Sequence, residues 1–115
     1  MKVWVVTLPY PPSVNRLWRY TSRGVYRTKH YTGWLKEAGL RITNPPYLTG
    51  PIYLQIEACP NDKRRRDLDN IIKPLLDCSE HNRVIKNDSQ IVELRVAWNH
   101  GIEKGTVDLI FNERE

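Results

Sequence analysis

Cysteine is scarce in this chain of 115 residues, which holds only Cys59 and Cys78. Two cysteines without C-x-x-C spacing make neither a disulfide framework nor a redox pair. They are expected as free, buried or half-buried thiols. Histidine is also sparse. His30, His81 and His100 stand apart, with no H-x-x-H or H-E-x-x-H arrangement, which argues against a zinc site. Long apolar runs are missing as well. Nothing approaches the roughly 18 residues of a membrane helix. The apolar opening at 3–7 is too short for a secretory leader, and no small-residue cleavage site follows it. A cytoplasmic protein is expected. No repeat, linker or low-complexity tract divides the chain, so residues 1–115 are expected to form one domain.

What is present is an ordinary globular composition, with 40% hydrophobic and 27% charged residues. The net charge is +5. A basic balance favours a polyanionic partner, and its distribution says more than its size. Lys63, Arg64, Arg65 and Arg66 are consecutive, and Arg16, Arg19, Arg23, Arg27 and Lys29 crowd the first third of the chain.

Residues 3–7, Val-Trp-Val-Val-Thr, read as a strand. It ends at Leu8-Pro9-Tyr10-Pro11-Pro12, where proline forbids regular structure. The basic, aromatic stretch 15–26 turns at Ser22-Arg23-Gly24 and reads as a loop or a short hairpin. Tyr31, Trp34, Leu35, Ala38 and Ile42 recur at helical spacing and predict a helix over 28–42, stopped by Asn44-Pro45-Pro46. Alternation of Ile52, Leu54 and Ile56 predicts a strand over 51–59. A helix is expected over 68–78 with Asp67 as its N-cap, although Pro74 lacks the N–H that would bond back to Asn70. A kink or an irregular first turn is the expected remedy. Strands are expected at 91–98, with Val92, Leu94, Val96 and Trp98 on one face, and at 106–111, with a turn at 101–105 between them. Trp4 and Trp98 are assigned to the core. The fold class is α+β: a mostly antiparallel or mixed sheet packed with two helices.

The chemistry concentrates in Lys63-Arg64-Arg65-Arg66-Asp67-Leu68-Asp69-Asn70-Ile71-Ile72-Lys73, followed by Asn87-Asp88-Ser89-Gln90. Two carboxylates about 4 Å apart repel by about 4 kcal/mol at an effective dielectric near 20. If Asp67, Asp69 and Asp88 converge, a cation must offset that repulsion. Oxygen ligands alone point to Mg²⁺ or Mn²⁺, which activates water and stabilises charge on phosphate. Lys73, one helical turn after Asp69, has the reach to act on a scissile phosphate or leaving group. Lys63, Arg64, Arg65 and Arg66 would hold the flanking backbone. Spacing alone leaves the plainer reading open, that D-x-D beside arginines is a solvated turn with surface ion pairs.

The combined string is more specific than its parts. Arg64 through Lys73, Leu76-Asp77 and Val84-Ile85-Lys86-Asn87-Asp88-Ser89-Gln90-Ile91 closely resemble the RusA family of Holliday junction resolvases. The opening Leu8 through Arg16 is similar to that family's as well. The resemblance implies an acidic triad at Asp67, Asp69 and Asp88, a catalytic lysine at Lys73, and Mg²⁺, with Mn²⁺ as substitute. It implies a homodimer that nicks a four-way DNA junction symmetrically and leaves 5′-phosphate and 3′-hydroxyl ends; no organic cofactor is expected. Where the family often has two acids, this chain has Asn87-Asp88. Asp77 is read as structural, paired to Lys73 at one-turn spacing. Asn15 either orients a phosphate or a metal-bound water or stabilises its loop, and Asn15 and Arg16 are grouped with the DNA-binding residues. Trp18, Tyr20 and Tyr26, interleaved with arginines, either stack unpaired bases or pack the core or a dimer interface. Two other functions stand beside the resolvase: a non-catalytic junction-binding module, and a less selective nuclease of flaps or forks.

Overall fold

The computed structural model describes residues 2–114. Four strands form one sheet: β1 (Lys2–Pro9), β4 (Ile52–Cys59), β5 (Ile91–Trp98) and β6 (Thr106–Glu113), in the order β1-β6-β4-β5. β6 pairs antiparallel with both β1 and β4, while β4 and β5 run parallel. A parallel neighbour cannot be reached by a tight turn and needs a crossover. Here the crossover contains the basic run, a 3-10 turn at Leu68–Ile71 and helix α2 (Ile72–His81). A separate hairpin, β2 (Trp18–Thr21) with β3 (Gly24–Arg27), leads into helix α1 (Lys29–Arg41).

Alternation fixes which sheet face is buried. Leu54 and Ile56 of β4 lie beside Phe111 and Leu109 of β6, which in turn lie beside Trp4 and Val6 of β1. This face packs against Tyr31, Trp34 and Ala38 of α1 and Leu75 and Cys78 of α2. Burying a side chain such as Phe111 contributes about 1.5–3 kcal/mol. Trp34 donates its indole N–H to the Pro9 carbonyl at 2.8 Å, which ties α1 to the end of β1. Thr28 caps α1, accepting from the Tyr31 N–H at 3.1 Å.

Of the two remedies expected at Pro74, the chain takes the irregular first turn: the helix expected over 68–78 begins as a 3-10 turn, and the α-helix proper runs from Ile72 to His81. Pro74 supplies the cause. It has no N–H for the Asn70 carbonyl, so the α-helical ladder cannot extend back through that residue, and Pro74 falls in the first turn of α2, where it is tolerated. Asp67 precedes the 3-10 turn but its side chain makes no capping hydrogen bond. The prolines do not end β1 at Leu8: it stays paired through Pro9, opposite Thr106, on an edge strand where proline is tolerated. On β5 the face shared by Val92, Leu94, Val96 and Trp98 is only partly covered. Val92 is 61% exposed and Leu94 38% exposed. A register shift sets Ile91 opposite Ile52 and Glu93 opposite Tyr53, so Val92 has no partner on β4. β5 is also one of the two edge strands of the sheet. Trp4, Val96 and Trp98 do pack against the core as half-buried residues. Both cysteines are free and buried.

Candidate active site

Asp67, Asp69, Lys73 and Asp88 all lie in the segment that joins the two parallel strands. Asp67 and Asp69 enter on the 3-10 turn, which Asn70 closes by donating its N–H to the Asp67 carbonyl at 3.2 Å. Lys73 follows in the first turn of α2. Its ammonium donates to Asp77 Oδ1 at 2.8 Å, the pairing that one-turn spacing suggested. The hydrogen bond to Asp77 raises the Lys73 pKa above the usual lysine value, with the charges of Asp77, Asp88 and Glu80 acting in the same direction. Asp77 is itself braced by Tyr31, whose hydroxyl donates to Oδ2 at 3.4 Å. Burial and the Asp77 charge push the Tyr31 phenol up to about 12.

Asp88 is set in place by its neighbours. Asn87 Oδ1 accepts from the Ser89 N–H at 2.8 Å, and Gln90 Oε1 accepts from the Asn87 N–H at 2.7 Å, a reciprocal capping box. The Gln90 amide then donates to the carbonyls of Leu48 and Gly50, both at 2.9 Å. Asn87 thus has a structural job where a second carboxylate would have stood.

Among the described residues, Asp67, Asp69 and Asp88 have no side-chain hydrogen bond or ion pair, whereas Asp62, Asp77 and Asp108 are all engaged. Nor do any three His, Cys, Asp or Glu side chains among the described residues cluster closely enough to hold an ion unaided. Magnesium is usually bound through one or two carboxylates, with waters and substrate phosphate completing its shell. Asp67, Asp69 and Asp88 are unengaged oxygen donors of the kind magnesium takes, but they are not gathered into a three-ligand set.

A groove is lined by Tyr10, Ser13, Arg16, Arg65, Asp67 and Asn70, so that of the three acids Asp67 alone faces it. Arg16 therefore reaches the same cleft as the basic run, although far apart in sequence. Asn15 is exposed on the same 3-10 turn, Val14–Arg16. The four cations of the run are not equivalent. Asp62 pairs with Arg64 at 3.2 Å and with Arg66 at 2.7 Å. Arg66 also donates to the carbonyls of Asp62 and Arg64 and lies over the Tyr10 ring, 5.7 Å from its centre. Its hydrogen bond, with those from Arg64, holds the Asp62 carboxyl well below the usual carboxylate range. Lys63 and Arg65 have no such partner among the described residues. Asp62, Tyr10 and His30, which also faces the groove, were not singled out by the sequence. The only sequence signal for Asp62 was its four-residue spacing from Arg66.

The family model for Endodeoxyribonuclease RusA matches residues 9–109. A crossover junction endodeoxyribonuclease RusA of Shigella sonnei (strain Ss046) is 32% identical over 120 residues, covering 98% of this chain and 97% of that protein. The protein of the same name from Enterobacteria phage HK97 is 29% identical over 118 residues, covering 100% of this chain and 98% of its own. That of Escherichia coli (strain K12) is 29% identical over 116 residues, with 98% and 97% covered.

Proposed function

The chain belongs to the RusA endodeoxyribonuclease family, and on that premise we propose that it is a structure-selective endonuclease that resolves four-way DNA junctions. The observation that carries the reading is local: three unengaged carboxylates and a braced lysine share one crossover with a basic run that lines the adjoining groove. Catalysis is assigned to Asp67, Asp69, Asp88 and Lys73.

Asp67, Asp69 and Asp88 would hold Mg²⁺ or Mn²⁺. Bound there, the ion supplies activation of water and neutralisation of charge on the scissile phosphate. The chain's own groups do the rest. Arg16, Lys63 and Arg65 bind the flanking phosphates and fix the register of the strand, with Asn15 beside them. Arg64 and Arg66, held by Asp62, keep the loop in shape and add positive potential. Lys73 stays protonated because Asp77 favours its charged form, and it offsets negative charge that develops on the leaving oxygen. Asp77 and Tyr31 are positioning residues.

Two cuts in a near two-fold junction call for two sites, and a homodimer provides them. Exposed Val92 and Leu94 on the edge strand β5 support a partner copy at that edge. Among the described residues no helix is long and apolar enough to cross a membrane, and the cytoplasm is the proposed place of action.

The test is cleavage of a labelled synthetic four-way junction with Mg²⁺ and with EDTA, beside a linear duplex. Paired symmetric nicks that need the ion and spare the duplex are expected. Equal cutting of duplex, flap and junction would replace junction resolution with a less selective nuclease. Tight binding without cutting in Mg²⁺ or Mn²⁺ would leave a binding module.

A further inference from the structure

The β2–β3 hairpin is a surface with no protein layer over it. Every residue from Trp18 to Arg27 is exposed, and Tyr20 reaches 76%. A lone two-stranded ribbon is marginally stable in water, yet this one is held firmly at its base. The Thr28 N–H donates to the Leu17 carbonyl at 3.0 Å, and its hydroxyl donates to the Arg16 carbonyl at 2.7 Å. Trp18 meets the Tyr31 ring edge-on with centres 6.2 Å apart, and the Arg27 guanidinium lies 5.9 Å from the centre of the same ring. The tip is stapled too. The Tyr26 hydroxyl donates to the Arg23 carbonyl at 3.1 Å, and the Arg23 N–H donates to Thr21 Oγ1 at 3.2 Å. The ribbon is thus a fixed projection.

Its register makes the two faces unlike. Trp18 pairs with Arg27 and Tyr20 with Val25, so Trp18, Tyr20 and Val25 form an apolar strip on one face. Arg19 and Tyr26 pair on the other. Arg27, opposite Trp18, shares the face of the strip at its base, Arg23 sits in the turn at the tip and Arg19 lies on the opposite face, and no Asp or Glu occurs before Glu37. Exposed aromatics ask for a cover, and the charge says which. A second copy laying its own ribbon here would set arginines against arginines, whereas a polyanion with flat apolar faces satisfies both features. Stacked bases give such faces and phosphates such charge.

We propose that this hairpin is a DNA-inserting arm: Tyr20 and Val25 stack on bases left unpaired or unstacked at the branch point, and Arg19 and Arg23 hold the phosphates on either side. This deepens the junction reading of the preceding section and rests on it.

The test uses the full chain and a four-way junction carrying 2-aminopurine at the crossover, in Ca²⁺ so that binding is read without cutting. Tyr20→Ala should weaken junction binding on the order of tenfold and remove the change in 2-aminopurine emission, while Tyr20→Phe keeps both. At 76% exposure, Tyr20 can be truncated without loss of folding, which circular dichroism checks. The double variant Arg19→Glu/Arg23→Glu should flatten the salt dependence by about 0.9 in log–log slope per lost contact. Wild-type affinity and emission in Tyr20→Ala would overturn the arm. A change of oligomeric state in sedimentation, with base emission unchanged, would make the ribbon a protein interface and overturn it too. If the wild-type chain itself fails to bind the junction, the functional reading fails, a result distinct from variants that bind as well as wild type.

Discussion

Asp62 decides which cations of the basic run a phosphate can take. It engages Arg64 and Arg66 and leaves Lys63 and Arg65 free among the described residues. Charge reversal of Lys63 or Arg65 should therefore flatten the salt dependence of junction binding by about 0.9 per lost contact, with little change in stability. Arg66→Ala should instead loosen the loop, because it removes partners from Asp62 and from two carbonyls. Equal slopes for the Lys63, Arg65 and wild-type proteins would move the DNA surface elsewhere. Among the acids, Asp69→Asn should cut at least on the order of a hundredfold more slowly. Its junction binding should survive or tighten, since a negative charge near the backbone is gone. Normal cleavage by Asp69→Asn would remove that carboxylate from the site. The proposal of these acids was legible in the sequence because motif and order carry it. The division of labour among Arg64, Arg65 and Arg66 was not, because it depends on which way each side chain turns toward Asp62.

At the scale of elements, the crossover is held by contacts that a linear reading cannot weigh. Gln90 looked like part of a motif, yet its amide closes two carbonyls from the segment before β4 while its oxygen caps Asn87. Gln90→Ala should cost about 1–3 kcal/mol in urea unfolding, the usual penalty for groups left without partners, and it should slow cleavage as Asp88 loses its seat. Unchanged stability would show that water replaces the amide. The α1–α2 contact has its own signature in pH. The folded-state pKa of Tyr31, about 12, lies above the ordinary phenol value of 10.0. The neutral phenol's contribution is thus fully present below pH 10 and is lost as pH rises from about 10 to about 12. Lys73, also raised, loses its pairing on the same alkaline side. Wild-type stability should fall across that window, and Tyr31→Phe should fall less steeply. Parallel curves in chemical denaturation would contradict the linkage. Periodicity located α1 and β4 closely, because both alternate between one buried and one open face. At Pro74 it left a kink and an irregular first turn equally open, and the chain takes the second as a 3-10 start to α2, since proline says that the ladder breaks and not how the chain repairs it.

The whole molecule shows where sequence pattern and folded chain part company. Val92 and Leu94 alternate as core residues should, and in the single chain they are 61% and 38% exposed. Alternation reports that a face wants cover and is silent on whether a helix of the same chain or a second chain provides it. β5 is an edge with open backbone groups on one side, an arrangement that proteins commonly protect by pairing or by charge. If a second copy covers this edge, Val92→Lys should leave the folded monomer intact, because the side chain already faces solvent, and should shift sedimentation from dimer to monomer. Loss of pairing should also uncouple the cuts. Junctions opened in one strand only would accumulate in place of symmetric nicks, while phosphate contacts within each subunit persist. A dimer that survives Val92→Lys with paired cutting would put the two-fold axis on another face. The exposed Val3 and Val5 of β1, at the far edge of the same sheet, are the next positions to charge.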